Sequence, residues 1–142
     1  MQYRIMSNLE VDLHLSRNSM ARVVYSRCDK LDLELVRYAY EDGWVYGQTA
    51  FRRDLDMSEE GWWPVALGVE EAVDNHAWRS VVVHGGFHTL DPDGSLWERE
   101  EASKAVALLH RFGGIQRSNH LTDETGHLFR VRIENVTARI PA

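Results

Sequence analysis

The side chains with the clearest capacity for chemistry are seven histidines and one cysteine. His84 and His88 share a face of a predicted strand, but four residues at about 3.3 Å each separate them by roughly 13 Å. They could ligate one metal ion only if the strand bulged at Gly85 and Gly86. The single cysteine, Cys28, allows neither an internal disulfide nor a cysteine-based zinc cluster. The sequence therefore predicts no metal site.

Motifs for acyl transfer and for nucleotide-binding loops are missing. The chain has no Gly-x-Ser-x-Gly turn, no Gly-x-Gly-x-x-Gly loop and no Walker loop. It is rich in aromatic residues, with five tryptophans and five tyrosines, which bury large areas and line the pockets of flat ligands. The pair Trp62-Trp63 before Pro64 fits two interpretations. It packs in the core or at a subunit interface, or it covers a flat ligand.

Length and charge limit the class of protein. The chain of 142 residues is long enough for one domain with a real core, so residues 1–142 are interpreted as a single domain. A formal net charge of −6 argues against a nucleic-acid partner. No apolar run approaches the roughly 20 residues that span a bilayer, and residues 1–8 lack the apolar stretch of a secretory signal. We therefore expect a cytoplasmic protein without a membrane partner.

The elements that must position any site are mostly strands. Asp42-Gly43 lies between two alternating apolar runs, which is a strong hairpin signal. Leu31, Leu33 and Leu35 alternate with charged residues, as strand residues do. The alternation of Leu9 through Leu15 predicts a further strand at the amino terminus. The remaining predicted strands cover residues 21–25, 44–50, 64–69, 80–90 and 128–140.

One substantial helix is predicted late in the chain. Ser95 to Glu98 fits a capping box, in which the glutamate returns to the amide of the serine. An apolar stripe then runs through Ala102, Ala105, Val106, Leu109 and Phe112. Gly113-Gly114 is predicted to end this helix, because glycine adopts the left-handed conformation of a helix end without strain. One or two further helical turns are predicted within the polar residues 51–60. Strands followed by one late helix favour a closed antiparallel barrel, with an open α+β sheet as the alternative.

Three segments favour the closed barrel over the open α+β sheet. Residues 35–50 and 77–87, together with 129–139, resemble strands of the pyridoxamine 5'-phosphate oxidase-like FMN-binding proteins, including the nitroimidazole-resistance branch. The first carries Tyr38-Ala39-Tyr40 through Asp-Gly to Thr49-Ala50, and the second carries Trp78-Arg79-Ser80 before three valines. The resemblance covers about residues 20–138. It implies a mainly β fold with minor α, a six-stranded antiparallel split β-barrel that carries one substantial helix.

The resemblance also implies a homodimer that holds two FMN molecules at the subunit interface. The family grips the phosphate near the end of the Thr49-Ala50 strand and with a following Gly-Arg-Lys-Leu stretch. Here Arg53 matches that arginine, while Arg52 replaces the glycine and Asp54 the lysine. A carboxylate beside a phosphate is repulsive unless a cation such as Arg52 intervenes. The implied cofactor-binding residues are Val36, Arg37, Tyr38, Gln48, Thr49, Ala50, Arg52, Arg53, Trp78, Arg79 and Ser80.

Arg37 and Arg79 are the candidate sources of positive charge near the flavin ring. Arg37 replaces a small polar residue where the ring edge would lie, and Arg79 is either a cation near the ring or a surface ion pair. The resemblance implies a flavin-dependent oxidoreductase that acts on a small molecule, in the manner of a nitroreductase. The alternative is a non-enzymatic barrel that binds FMN, haem or another flat ligand, or that has lost its ligand. His84, His88 and His120 are the candidate haem ligands.

Overall fold

The computed structural model describes residues 2–27, 29–49, 62–112 and 127–142. In chain order the elements are β1 (Tyr3–Ile5), α1 (Asn8–Arg17), β2 (Met20–Arg27), β3 (Lys30–Glu41), β4 (Trp44–Thr49), β5 (Trp63–Asp74), β6 (Ala77–Leu90), α2 (Leu96–Phe112) and β7 (His127–Pro141). The predicted turns within residues 51–60, the Gly113-Gly114 helix end and Cys28 lie outside the described residues. Neither helix in the described chain combines the length and the hydropathy that crossing a bilayer requires.

The strands form a closed ring. Along the sheet the order is β7-β4-β3-β2-β5-β6, and β6 pairs again with β7, so the ring closes with every pairing antiparallel. The short strand β1 pairs with the last residues of β7, where Ile5 lies opposite Arg139. The predicted six-stranded split barrel is therefore confirmed. The open sheet is excluded by the pairing of β6 with β7.

The Asp-Gly hairpin joins β3 to β4 as predicted. Glu41 lies opposite Trp44, and the two residues between them, Asp42 and Gly43, have φ angles of 50° and 82°. Positive φ at both central positions matches the twist of the two strands, which explains the preference for Asp-Gly in such hairpins.

The barrel interior is filled by side chains that alternate along the strands. Phe87 of β6 stacks on Phe129 of β7 with ring centroids 4.6 Å apart. Tyr38 of β3 is fully buried among them. The remaining members are mainly valines and leucines of β2, β5, β6 and β7, namely Val23, Leu67, Val69, Val81, Val83 and Val131. The described residues thus fill the interior of the ring with a packed core, which leaves its outer face for any ligand.

The amino-terminal segment corrects the sequence prediction. The alternation of Leu9 to Leu15 predicted a strand, but these residues form α1, in which Leu15 is buried and Leu9 is 68% exposed. The helix begins with a capping box, in which the Ser7 hydroxyl accepts from the Glu10 amide and the Glu10 carboxylate accepts from the Ser7 amide. Ser7-x-x-Glu10 was the available signal, and it outweighs a short alternation.

Helix α1 covers one end of the barrel. Its Leu15 belongs to the core, and the Tyr38 hydroxyl donates to the Leu15 carbonyl at 2.7 Å. The buried His14 ring places Nε2 2.8 Å from the Val69 carbonyl. A carbonyl can only accept, so Nε2 carries the proton. These two bonds fix the helix to β3 and β5.

Helix α2 packs on the outer face of the ring, against β3, β4, β6 and β7. Ala39 and Tyr46 point outward there and meet a helix stripe of Ala102, Ala105, Leu108 and Leu109. Leu108 is an addition to the predicted stripe. The start of the helix also differs from the predicted box. Glu98 donates its amide to the Ser95 hydroxyl, but its carboxylate accepts from the Asp91 amide at 3.0 Å.

Candidate functional site

The predicted site residues of β3 and β4 divide between the two faces of the ring. Val36, Tyr38 and Thr49 point inward and are 3%, 0% and 2% exposed, so they can offer a ligand only backbone groups. Arg37 and Gln48 lie directly opposite each other and point outward, half-buried. The structure thus reduces the side chains of these two strands that could meet a cofactor to one guanidinium and one amide.

The Arg37 guanidinium lies half-buried on the outer face of the sheet. Its burial lowers the pKa of Arg37 from its usual value, because a partly desolvated cation is disfavoured. Met20 lies opposite Arg37 on the β2 side, and Gln48 lies opposite on the β4 side. A partly desolvated guanidinium beside an amide offers several donors to a planar, electron-rich partner.

Beside this pair lies an exposed apolar surface. Leu31, Leu33 and Leu35 of β3 point away from the core and are 77%, 55% and 59% exposed. Across the sheet, Leu33 lies opposite Val24, and Val24 lies opposite Ala66. We call this surface, formed by the three leucines with Val24 and Ala66, the leucine face. Contiguous exposed apolar surface is typical of interaction sites.

The second predicted group, Trp78 to Ser80, begins β6. The Trp78 indole Nε1 is buried and has no hydrogen-bond partner within the described chain. A buried donor without a partner is costly, and such a donor is one sign of a missing ligand or subunit. Arg79 lies opposite Glu71, with Nη1 3.5 Å from Oε1, which agrees with the ion-pair interpretation of that residue.

Within one chain the two groups are apart. Passing through β4 and β7, Gln48 is level with Leu90 of β6, ten residues along that strand from Ser80. In the other direction, β2 and β5 lie between β3 and β6. Three strand spacings of about 4.8 Å thus separate the two groups around the outer face, and a partner subunit is the second possible source of the Trp78 group. Ala50, Arg52 and Arg53, predicted to bind the phosphate, lie outside the described residues.

Glu71 organises the barrel end near Arg79. Its carboxylate accepts from Arg17 at 3.0 and 3.1 Å and from Asn18 at 2.8 Å, which ties the end of α1 to β5. These hydrogen bonds, led by the one from Arg17, lower the pKa of Glu71 to about 2.

Because the folded pKa of Glu71 lies below its ordinary value of 4.5, its contribution to stability is present above that pH. It is lost as the pH falls from 4.5 towards 2. As the pH falls through this range, the free energy of unfolding measured in urea should decrease less for Glu71→Gln than for the wild type. Glu100→Gln, an exposed carboxylate of α2, is the control. Equal pH dependence of the Glu71→Gln variant and the wild type would contradict this role.

A cluster that the sequence analysis did not identify lies near the start of α2. Arg130 of β7 is 9% exposed, and its guanidinium carbon is 4.1 Å from the ring centroid of Trp44 and 4.6 Å from that of Trp97. Its Nη1 donates to Glu101 at 2.9 Å. Trp62 lies 5.5 Å from the same guanidinium. Cation–π contacts and a partly desolvated ion pair thus join α2 to the barrel, and Trp62 takes part in packing.

His84 and His88, whose spacing along one strand predicts that they lie too far apart to share an ion, have different surroundings in the structure. His84 is exposed, whereas the His88 ring packs 5.1 Å from Trp62 and 5.6 Å from Trp97. Burial lowers the pKa of His88, so its imidazole is neutral at physiological pH. The irregular pairing lies in β7, where the partner changes from Asn135 to Ile133, and β6 stays extended. The described residues contain no group of three or more histidine, cysteine or acidic side chains that could hold an ion.

The closed antiparallel ring with one helix on its outer face defines a split-barrel protein. The chain belongs to the pyridoxamine 5'-phosphate oxidase family, whose sequence profile matches residues 7–140. Among curated proteins, none matches the sequence.

Solved structures share the fold at low sequence identity. A FAD-binding protein from Mesorhizobium loti aligns with a TM-score of 0.72 at 22% identity, over 98% of each chain. A FAD and heme binding protein from Mycobacterium smegmatis aligns at 0.69 and 13% identity, over 99% of this chain and 74% of that one. The heme storage protein HutZ from Vibrio cholerae aligns at 0.69 and 14%, over 93% and 94%.

The described residues fit a flavin on chemical grounds. A flavin ring is flat and largely apolar, with hydrogen-bonding atoms along one edge. The leucine face supplies apolar surface, while Arg37 and Gln48 supply donors beside it. The buried Trp78 donor has no partner within the described chain. These groups lie outside the packed core, where a bound ring would not displace it.

Proposed function

We propose that this protein is a homodimeric FMN-binding oxidoreductase that acts on a small molecule. The observation that carries the proposal is the leucine face, with the Arg37–Gln48 pair at its border. Two leucine faces packed together would remove apolar surface from water, which is the main driving force of subunit association. The proposal also requires this contact to bring the partner's Trp78 and the partner's Ser80 towards Arg37.

In this arrangement the chain's own residues bind, orient and exclude water. Bound FMN supplies hydride and electron transfer. Arg37 and Gln48 hold the polar edge of the ring by donating hydrogen bonds. A guanidinium beside that edge also favours negative charge on the ring, so Arg37 tunes the potential. Thr49 offers backbone groups, while Arg52 and Arg53 hold the phosphate. The packed leucines keep water from the site.

The first test is the visible absorption spectrum of the purified protein, followed by chromatography of the released chromophore. We expect flavin absorption and release of FMN with one flavin per chain. Oxidoreductase activity is tested by anaerobic turnover of a nitroaromatic compound with NADPH or NADH as the donor. A colourless dimer that binds no added FMN would contradict the proposal. A protein that binds FMN without turnover would support the alternative of a flavin-binding module without this activity.

Arg53 provides a sharper test of the phosphate site. We expect Arg53→Ala to weaken FMN binding about tenfold or more, because a charge-assisted hydrogen bond to phosphate is lost. Asp54→Lys should strengthen it, since it replaces a repulsive carboxylate with a cation. Fluorescence titration of apoprotein with FMN measures both, and riboflavin, which lacks the phosphate, should be insensitive to either change. Arg99→Ala, an exposed arginine of α2, is the control. Equal FMN affinity in all three variants would place the phosphate elsewhere.

A second candidate ligand is haem, and His88 is the observation that favours it. Its imidazole is held neutral by burial and lies between two indole rings, Trp62 and Trp97. A neutral imidazole is the form that ligates iron. If haem binds there, addition of hemin gives a Soret band that His88→Ala removes and His84→Ala keeps.

A further inference from the structure

A cavity of about 430 Å³ lies at the end of the barrel covered by α1. Met6, Val11 and Leu15 form one wall, and Ile133, Val136 and Ala138 of β7 form the other. Its volume falls within the range of about 300–1,000 Å³ that small-molecule sites occupy. The walls are apolar, so the body of a ligand that fits here must also be apolar.

The polar groups of the cavity are acidic or neutral. Asp12 of α1 and Tyr40 of β3 line it together, and the Tyr40 hydroxyl donates to Asp12 Oδ1 at 2.6 Å. This is the one hydrogen bond that the Asp12 side chain makes within the described chain. Asn8 adds an amide, and no lysine, arginine or histidine is among the lining residues.

The neighbouring phenol holds the Asp12 carboxylate in place. Burial, the hydrogen bond to Asp12 and the charge of Asp42 raise the pKa of Tyr40 to about 12, so the phenol stays protonated and keeps Asp12 oriented. The carboxylate of Asp12 retains an oxygen that is not used by Tyr40. Apolar walls beside an oriented carboxylate without a lining cation are complementary to a protonated amine on an apolar body.

We propose that this cavity, which we call the α1 cavity, binds small molecules that carry a protonated amine on an apolar chain or ring. The ammonium donates to Asp12, and the apolar body lies between α1 and β7. None of the residues assigned to the FMN site lines the cavity. The two proposals therefore fail or succeed separately.

The experiment uses three probes that share one chain and differ in the head group, namely octylamine, octanol and octanoate. Each is titrated calorimetrically into the full-length protein at neutral pH, with and without added FMN. We expect octylamine to bind most tightly and octanoate least. Asp12→Asn should weaken octylamine binding about tenfold and leave octanol unchanged, because only the charge-assisted contact is lost. Glu100→Gln removes one exposed carboxylate of α2 and serves as the matched control.

The location is tested by Val11→Phe, which fills the cavity and should weaken all three probes. Its circular dichroism must match that of the wild type. If Val11→Phe does not fold, amide NMR shifts of the wild type with octylamine give the location, with changes expected in α1 and at the end of β7. The proposal is overturned if octanoate binds as tightly as octylamine, if Asp12→Asn binds octylamine like the wild type, or if no probe binds.

Discussion

Replacing Gly85 with alanine should lower the unfolding free energy by about 3 kcal/mol, the upper end of the range typical for overpacking a core. Gly85 lies in β6, opposite Ile133, where the pairing with β7 is irregular. A Cβ built on Gly85 overlaps the carbonyl oxygen of Arg132 and lies 2.9 Å from Val131 Cγ1. Backbone atoms cannot move aside as a flexible side chain can, so β6 and β7 must separate locally.

Gly68 provides the matched control for this prediction. It lies in β5, and a Cβ built on it meets nothing within 4 Å. We expect Gly68→Ala to unfold at nearly the wild-type urea concentration, while Gly85→Ala unfolds far earlier or accumulates as insoluble protein. Gly47→Ala should resemble Gly85→Ala, because its Cβ would lie 2.7 Å from the Arg37 carbonyl oxygen and overlap Phe129. Similar midpoints for Gly85→Ala and Gly68→Ala would show that the barrel seam is not closely packed.

The second large effect concerns association. Leu33→Glu should convert the proposed dimer into a monomer and weaken association by about a hundredfold or more. The reason is that each dimer would bury two unpaired carboxylates, one from each chain. Sedimentation velocity over a concentration series measures this change. Leu13→Glu of α1 is the control, since Leu13 is 54% and Leu33 55% exposed. A wild-type protein that is monomeric, or a Leu33→Glu variant that dimerises normally, would refute the leucine face as the interface.

Flavin content in the same variants connects the two parts of the proposal. If the site needs the partner's Trp78, Leu33→Glu should lose FMN together with the dimer, while Arg53→Ala should lose FMN and stay dimeric. If monomeric Leu33→Glu keeps wild-type FMN affinity, the site is complete within one chain. That result would support FMN binding and refute the proposed contribution of the partner subunit to the site.

The sequence alone determined the strand segments and the main turn. A two-residue hairpin turn requires positive φ at both central positions, and Asp42 and Gly43 adopt it. Because Asp-Gly tolerates this conformation well, the dipeptide predicts the hairpin from local sequence alone. Alternation identified β3 and β7 because period two is a property of the strand itself. The resemblance to the family then fixed the ring, since alternation cannot show which strands pair. The amino-terminal prediction was wrong because four alternating apolar residues are weak evidence against a capping box at Ser7 and Glu10.

The tertiary structure decided which face of each strand is the inside. Alternation places Leu31, Leu33, Leu35 and Arg37 on one face of β3 and Asp32, Glu34, Val36 and Tyr38 on the other, so each face carries apolar and charged residues. Only closure of the ring shows that the valine and tyrosine fill the core and that the leucines are exposed. The family motif assigns Val36, Tyr38 and Thr49 to the cofactor site, but a motif does not show which way a side chain points. In the structure these three side chains point inward.

Contacts between distant segments were likewise beyond the sequence. The Arg130 cluster gathers side chains from β4, β7 and α2, and the α1 cavity lies between α1, β7 and the β3–β4 turn. A local sequence pattern shows whether a segment is a strand or a helix, but it does not show which distant segment of the chain packs against it. The sequence therefore determined the elements, and the packing of those elements determined where the protein can bind anything.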